Sequence, residues 1–207
     1  MHRTIHPDLP DEPGPAWEVA TLFPDRGRWA ESDYLFLTSS TNRLVELTEG
    51  NVEVLPMPTM SHQLIVAFFY QALLVMTSRE GLGTVLFAPL RVRLPGGTYR
   101  EPDVVFMLAE HADRMGEACW DGADLAVEVV SDDNREHDLV TKRADYAAAG
   151  IPEYWIVDPR EQAITVLKLA GEAYTEHGVF TSGQKATSAL LPGFEIDVEA
   201  VWKAARK

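Results

Sequence analysis

The spacing of apolar residues changes along the chain and predicts strands and helices in turn. Apolar and polar residues alternate over 43–55 and 85–94, the pattern of strands with one face buried, and a further apolar strand is expected at 102–107. Glu49-Gly50 divides the first stretch into a hairpin, and Pro95-Gly96-Gly97 turns the chain back after the second. A helix is expected to begin near Trp29.

The most apolar part of the chain predicts a long buried helix over about residues 62–79. Thr59 or Ser61, after Pro58, is expected to cap its start, and Gly81 and Gly83 to end it. The continuous apolar stretch covers only 64–76, which is too short to cross a bilayer.

The second half of the chain reads as a strand, a helix and a strand. A short apolar run at 125–130 precedes a helix over about 133–149, capped by Asp133 with Glu136 and ended by Gly150. Apolar strands follow at 153–158 and 163–169, and the tail predicts a last strand or turn and a short helix. A strand–helix–strand unit is typically parallel, so we expect an α/β fold with a mixed central sheet, helices on both faces and an N-terminal hairpin extension.

Composition narrows the class of protein. The 207 residues suffice for one domain, which we place at 29–207 after an arm, 1–28, that holds five of the thirteen prolines. The single cysteine, Cys119, excludes an intrachain disulfide and fits a cytoplasmic protein, and the N-terminus lacks an apolar signal-peptide core. A net charge of −14 disfavours unspecific binding of nucleic acid by the whole surface.

A glutamate inside an apolar strand is the main chemical signal. Glu128 stands in the middle of the run at 125–130, and a buried carboxylate requires a cation, a proton or a metal. Asp103 opens a second apolar strand after Pro102, so two carboxylates on adjacent strands are positioned to bind one divalent cation. Lys142 shares a helix face with Asp138 and Tyr146 and can turn toward these carboxylates.

Each of these residues also has a structural interpretation. Glu128 can pair with Arg91 or Arg93, and Asp103 can be a turn residue after proline. Lys142 can form an exposed helix pair with Asp138, of little energetic value. Two further residues, His62 and Glu46, can be ordinary exposed residues of a helix start and of a hairpin.

Three segments together resemble a known family. They are EPDVVFM, the block DLAVEVVSDDNREHDLVTKRADYAAAGIPEYWIVDP, and LLPGF, with an upstream hairpin and helix that contain Glu46 and His62. Over residues 30–202 the chain is similar to a bacterial family of restriction endonuclease type, within the PD-(D/E)XK nuclease superfamily.

The resemblance implies a restriction-endonuclease-like fold and hydrolysis of DNA phosphodiester bonds with Mg²⁺ or Mn²⁺. Asp103 matches the aspartate of the PD pair and Glu128 the second acidic position, so these two would bind the metal. Val130 stands where the superfamily has its lysine, and Lys142 on the following helix is the candidate replacement. His62 and Glu46 match recurrent positions and are candidates for the edge of the site.

The sequence therefore leaves two functions of different classes open. The retained Asp103, Glu128 and Lys142 favour an endonuclease with DNA as substrate. The acidic surface favours a catalytically inactive or regulatory protein that binds other proteins on the same fold. For the endonuclease we expect a homodimer, because two-fold symmetry is the commonest way to supply two active sites for a duplex, and we expect no membrane association.

Overall fold

The structure is a computed structural model that describes residues 27–39, 44–131, 135 and 137–206, with only the backbone at Asp138. The chain divides into two compact units, Met1–Leu55 and Pro56–Lys207. The predicted arm at 1–28 and the capping pair Asp133 and Glu136 fall, except for residues 27 and 28, outside the described residues. The expectation of one domain over 29–207 stays a prediction.

The first unit contains a helix and the predicted hairpin. Helix α1 (Glu31–Ser39) precedes strands β1 (Val45–Thr48) and β2 (Asn51–Val54), which pair in antiparallel register. Glu49 and Gly50 form the turn with φ of 49° and 73°. The Tyr34 hydroxyl donates to the Val45 carbonyl oxygen at 2.7 Å and thus fixes α1 on the hairpin. The hairpin prediction is confirmed.

A mixed six-stranded sheet forms the centre of the second unit. Its strands lie in the order β11-β10-β9-β8-β6-β3, and only β8 and β9 run parallel. Their bounds are β3 Gly83–Phe87, β6 Val104–Leu108, β8 Leu125–Val129, β9 Glu153–Asp158, β10 Ala163–Ala170 and β11 Ala173–Thr181. The parallel pair is the predicted strand–helix–strand unit.

Shorter strands flank this sheet in the same unit. Strand β4 (Val92–Leu94) pairs antiparallel with β5 (Thr98–Arg100) and parallel with β7 (Trp120–Asp121). Strand β12 (Lys185–Thr187) pairs antiparallel with β13 (Glu195–Asp197). Short 3₁₀ helices occupy Pro95–Gly97 and Ala109–Arg114, the second with a kink at His111.

Helices cover both faces of the central sheet, as predicted. Helix α2 (Met60–Glu80) and helix α4 (Val198–Ala204) share one apolar core with alternate residues of the sheet. Helix α3 (Lys142–Ala148) packs on the opposite face through Tyr146, after a π-helical turn at His137–Thr141. The predicted helix stop at Gly150 is confirmed by its φ of 74° and by the bond from Ile151 N to the Tyr146 carbonyl oxygen.

Two sequence expectations need correction. The continuous strand over 85–94 is wrong: it is broken into β3 and β4, because Pro89 has no N–H for a ladder. The bond from the Ala88 amide to the Asp103 carbonyl oxygen continues the register of β3 with β6 up to this proline. Strands β11 and β12 were not predicted, since their exposed and charged positions obscure the alternation.

Helix α2 is confirmed and is longer than its apolar stretch. Its 21 residues are long and apolar enough to cross a membrane by length and composition, a test that core helices of soluble proteins also pass. One face of the helix is buried against the sheet, through Ile65, Val66, Phe69, Leu73 and Thr77. Helix α2 is therefore buried along one face, whereas the sequence predicted a helix buried as a whole.

Candidate active site

Glu128 is buried in the central sheet, and its two carboxylate oxygens bind different partners. Leu125, Val127 and Val129 of β8 pack into the core beneath α2, so alternation turns Glu128 toward α3. Glu128 is 2% exposed to solvent. Lys142 Nζ lies 2.9 Å from Oε2, and the Tyr146 hydroxyl donates to Oε1 at 2.6 Å. A cation and a phenol thus compensate the buried charge.

Helix α3 delivers both partners because Lys142 and Tyr146 are four residues apart on one face. Lys142 is 4% exposed and Tyr146 is fully buried. The alternative of an exposed surface pair for Lys142 is therefore wrong. Arg93, one of the alternative partners of Glu128, binds Asp121 through Nε at 2.7 Å.

Asp103 lies beside Glu128 at the end of the neighbouring strand. Asp103 directly precedes β6, whose first residue, Val104, pairs with Val127 of β8, the residue before Glu128. Asp103 Oδ2 accepts from the Val129 amide at 2.8 Å, which fixes the aspartate at the carboxyl end of β8. No donor from the described residues binds its other oxygen, Oδ1. Asp103 is thus held at the residue that follows Glu128, and the convergence of the two carboxylates on one metal stays a prediction.

His62 reaches the same place from the start of α2. The Thr59 hydroxyl accepts from the His62 amide at 3.2 Å and caps the helix, which sets the histidine in its first turn. His62 Nε2 lies 3.3 Å from Asp103 Oδ2, and the side chain is 17% exposed, so the alternative of an exposed residue is wrong. Nδ1 is buried and has no hydrogen-bond partner among the described residues.

The charge of His62 is set by opposing effects. Burial lowers the pKa of its imidazole, whereas the hydrogen bond to Asp103 and the negative charges of Asp103 and Glu128 raise it. The raising effects prevail, and the pKa lies above the usual 6.5. The protonated form is thereby favoured beside the two carboxylates.

The donor atoms fit an oxygen-binding divalent cation with an incomplete protein shell. Within the described part of the chain, no three histidine, cysteine, aspartate or glutamate residues cluster in a way that could hold a metal ion. Mg²⁺ commonly binds through one or two carboxylates and keeps several waters, and Mn²⁺ accepts the same ligands. Asp103 and Glu128 suit such a partly hydrated ion, and Asp103 Oδ1 is available to it.

Glu46 belongs to the first unit and does not take the exposed position that a hairpin residue usually has. It lies in β1, opposite Glu53 in the hairpin register, and is fully buried. The alternative of an outward-facing residue is wrong. Its part in the site stays a prediction.

Tyr146 is the site residue that sequence reasoning did not assign. The signal was its position four residues after Lys142 on the same helix face. A tyrosine at such a position is usually a core residue, and the sequence does not show that its hydroxyl meets a carboxylate. The fold makes that contact by packing α3 against β8.

Comparison with solved structures identifies the fold. The chain is similar to a protein described as a "putative nuclease" from Anabaena variabilis, with a TM-score of 0.63 and 15% identity over 83% of this chain and 98% of that one. The mixed sheet flanked by helices is thus a restriction-endonuclease-like fold, as predicted. No curated protein matches the sequence.

The family is settled by a match over most of the sequence. Residues 31–199 match the model of the family Uma2, described as "Putative restriction endonuclease". The match includes the positions of Asp103, Glu128 and Lys142 as well as those of Glu46 and His62. The chain therefore belongs to the Uma2 family of restriction endonuclease type.

Proposed function

We propose that the protein is a metal-dependent endonuclease that hydrolyses phosphodiester bonds of DNA. The observation that carries the proposal is the buried contact of Glu128 with Lys142, next to Asp103, at the carboxyl end of β8. Family membership and the nuclease described from Anabaena variabilis support the same reaction class.

In this proposal Asp103 and Glu128 would hold Mg²⁺ or Mn²⁺. Such an ion, when bound, polarises a phosphate oxygen and makes a water molecule more acidic. Lys142 orients the attacking water and stabilises negative charge as it develops on the phosphate. Tyr146 holds one oxygen of Glu128 so that the other faces the lysine.

His62 has a separate role in the proposal. Its ring contacts Asp103 through Nε2, and Nδ1 is buried. A protonated imidazole donates from Nε2 to Asp103, which would orient this carboxylate and offset part of its negative charge.

The test is a cleavage assay with supercoiled plasmid, linear duplex, single-stranded DNA and RNA, each with Mg²⁺, Mn²⁺ or EDTA. We expect cleavage of DNA with either metal and none with EDTA. Glu128→Gln keeps the shape of the side chain and is expected to abolish cleavage. Glu161→Gln, which alters an exposed glutamate on the loop after β9, is the matched control and is expected to cut at the parent rate.

The acidic surface supports a second candidate, a protein-binding module without activity. A net charge of −14 opposes the approach of a duplex that carries about one negative charge per 1.7 Å. The same assay separates the two functions. Absence of cleavage on all substrates, together with no Mn²⁺ binding by calorimetry, would favour the module and contradict the nuclease.

We also propose that the nuclease acts as a homodimer. A duplex requires two cuts, and two-fold symmetry supplies two sites. Light scattering at micromolar concentration is expected to give twice the mass of 23.0 kDa. A monomeric mass, both alone and with DNA, would contradict this part of the proposal.

A further inference from the structure

Arg100 is a fully buried cation at the end of β5, three residues before Asp103. Its Nε lies 3.1 Å from Asp145 Oδ2, and Nη2 bonds the same oxygen. Its Nη1 lies 3.0 Å from His137 Nε2. A guanidinium only donates, so the histidine nitrogen accepts in this contact.

These contacts connect Arg100 to the helix that carries the partners of Glu128. Asp145 lies on α3 between Lys142 and Tyr146, and His137 begins the π-helical turn that leads into α3. One guanidinium thus binds both the turn and the helix. Asp103 follows Arg100 by only three residues. The contact of Arg100 with α3 thus links the segment that contains Asp103 to the helix that carries Lys142 and Tyr146.

Helix α3 needs such a contact because it is short. It has seven residues, and isolated helices of that length are not stable in water. Its orientation must therefore come from tertiary contacts. The Glu128–Lys142 and Glu128–Tyr146 contacts are 2.9 and 2.6 Å long, so a shift of α3 by about 1 Å would break them.

We propose that Arg100 is a positioning residue, which holds α3 through Asp145 and His137 so that Lys142 and Tyr146 meet Glu128 beside Asp103. It does not touch the substrate. Its effect on cleavage rests on the proposed nuclease function, whereas its effect on the geometry of Glu128 does not.

Arg100→Lys tests the inference, because lysine keeps the charge but lacks the planar fork that bonds Asp145 and His137 together. We expect a crystal structure of the variant to show Lys142 Nζ withdrawn from Glu128 Oε2. We expect kcat to fall about tenfold or more while KM changes less than about twofold, since α3 serves the chemical step. Retention of the 2.9 Å contact with parent kcat would overturn the proposal.

Asp145→Asn is the second variant if Arg100→Lys does not fold. It keeps an oxygen acceptor for the guanidinium and removes only the charge, so it is the milder change. We expect kcat between those of the parent and of Arg100→Lys, with KM unchanged. If kcat fell and KM rose by the same factor, or if neither changed, the positioning role of Arg100 would be contradicted.

Arg93→Lys is the matched control. Arg93 pairs with Asp121 through the same guanidinium–carboxylate chemistry, on the neighbouring strand β4, with both side chains about half exposed. We expect parent kcat and KM. An equal loss in this variant would assign the effect of Arg100→Lys to general destabilisation and refute the proposal.

The two hypotheses fail separately. If the parent protein cuts no nucleic acid, the proposed function is wrong, and the crystal structure of Arg100→Lys still decides whether Arg100 positions α3. If the parent cuts and the variant keeps both contact and rate, only the positioning role is wrong.

Discussion

Two buried glutamates on the parallel strand pair are held in different ways. Glu128 on β8 is 2% exposed and binds a lysine and a tyrosine side chain from α3. Glu153, the first residue of β9, is fully buried and accepts four hydrogen bonds from neutral groups. These donors are Trp155 Nε1, Ser188 Oγ and the amides of Ala189 and Leu190.

In the proposed nuclease, the difference separates a structural carboxylate from a chemical one. Three of the four donors to Glu153 belong to one loop, 188–191, and Glu153 lies at the opposite end of the strand pair from Glu128. Glu128 binds a charged side chain, that of Lys142, and lies next to a second acidic residue, Asp103. Burial alone thus does not distinguish the glutamate that we propose to bind the metal, whereas a charged partner and a neighbouring aspartate do.

The largest expected effect comes from Lys142→Met, which removes the cation of Glu128 and keeps most of the volume. We expect the cleavage rate to fall at least a hundredfold, about 3 kcal/mol in activation free energy, because a preorganised positive charge is lost. Single-turnover cleavage, at a temperature where circular dichroism shows folded protein, measures it. Lys168→Met, at an exposed position of β10, is the control. Parent activity in Lys142→Met would show that the charged partner of Glu128 has no role in cleavage.

Glu153→Gln is expected to lower the free energy of unfolding by about 2 kcal/mol, since an amide NH₂ would replace one acceptor among four donors. Urea unfolding followed by tryptophan fluorescence measures the change. The folded variant is expected to cut DNA at the parent rate. A loss of cleavage in folded Glu153→Gln would show that both glutamates serve the chemistry.

Tyr146→Phe removes one hydrogen bond of Glu128 and leaves Lys142 in place. We expect a loss in kcat of roughly fivefold, about 1 kcal/mol, because the carboxylate becomes less well oriented. Tyr174→Phe is the matched control, since it deletes a hydroxyl that donates to the Ile151 carbonyl oxygen at 2.8 Å in the same core. If both variants lose the same activity, the contact of Tyr146 with Glu128 has no specific role.

The smallest expected effect concerns Asp158, a third carboxylate, which is paired with Arg135 at 2.7 and 2.9 Å. Burial raises its pKa, but the hydrogen bonds and charge of Arg135, with two backbone amides, hold the pKa below its usual 3.8. The stabilisation is therefore present above about pH 4 and is lost as the pH falls through the folded pKa. The difference in unfolding free energy between the parent and Asp158→Asn is expected to shrink in that acidic range, and a constant difference from pH 6 to pH 3 would contradict it.

The sequence predicts those parts of the molecule that depend on local patterns. Thr59 and Gly81 bound helix α2, Gly150 ends α3, and alternation places Glu128 inside a strand. The alternation over 85–94 obscured the break between β3 and β4 at Pro89. The polar residues of β11 likewise obscured an edge strand.

Long-range contacts limit prediction of the site. The i, i+4 spacing shows that Lys142 and Tyr146 share a face, but which sheet position that face meets is decided by packing. The contact between Arg100 and Asp145 joins residues 45 positions apart, and no local pattern indicates it. Asp103 and Glu128 were easier to predict, because they belong to two apolar strand segments that can be recognised in the sequence.

The four donors of Glu153 also make the folded protein depend on the completeness of its chain. A ribosome that stops before Ser188 releases a polypeptide with Asp103, Glu128 and Lys142 all present, but with the Glu153 carboxylate lacking three of its four donors. That fragment cannot bury β9 without a large desolvation cost, so it stays open to proteases. If the protein cuts DNA as proposed, an unfinished chain is thus exposed to proteases before its candidate site can assemble.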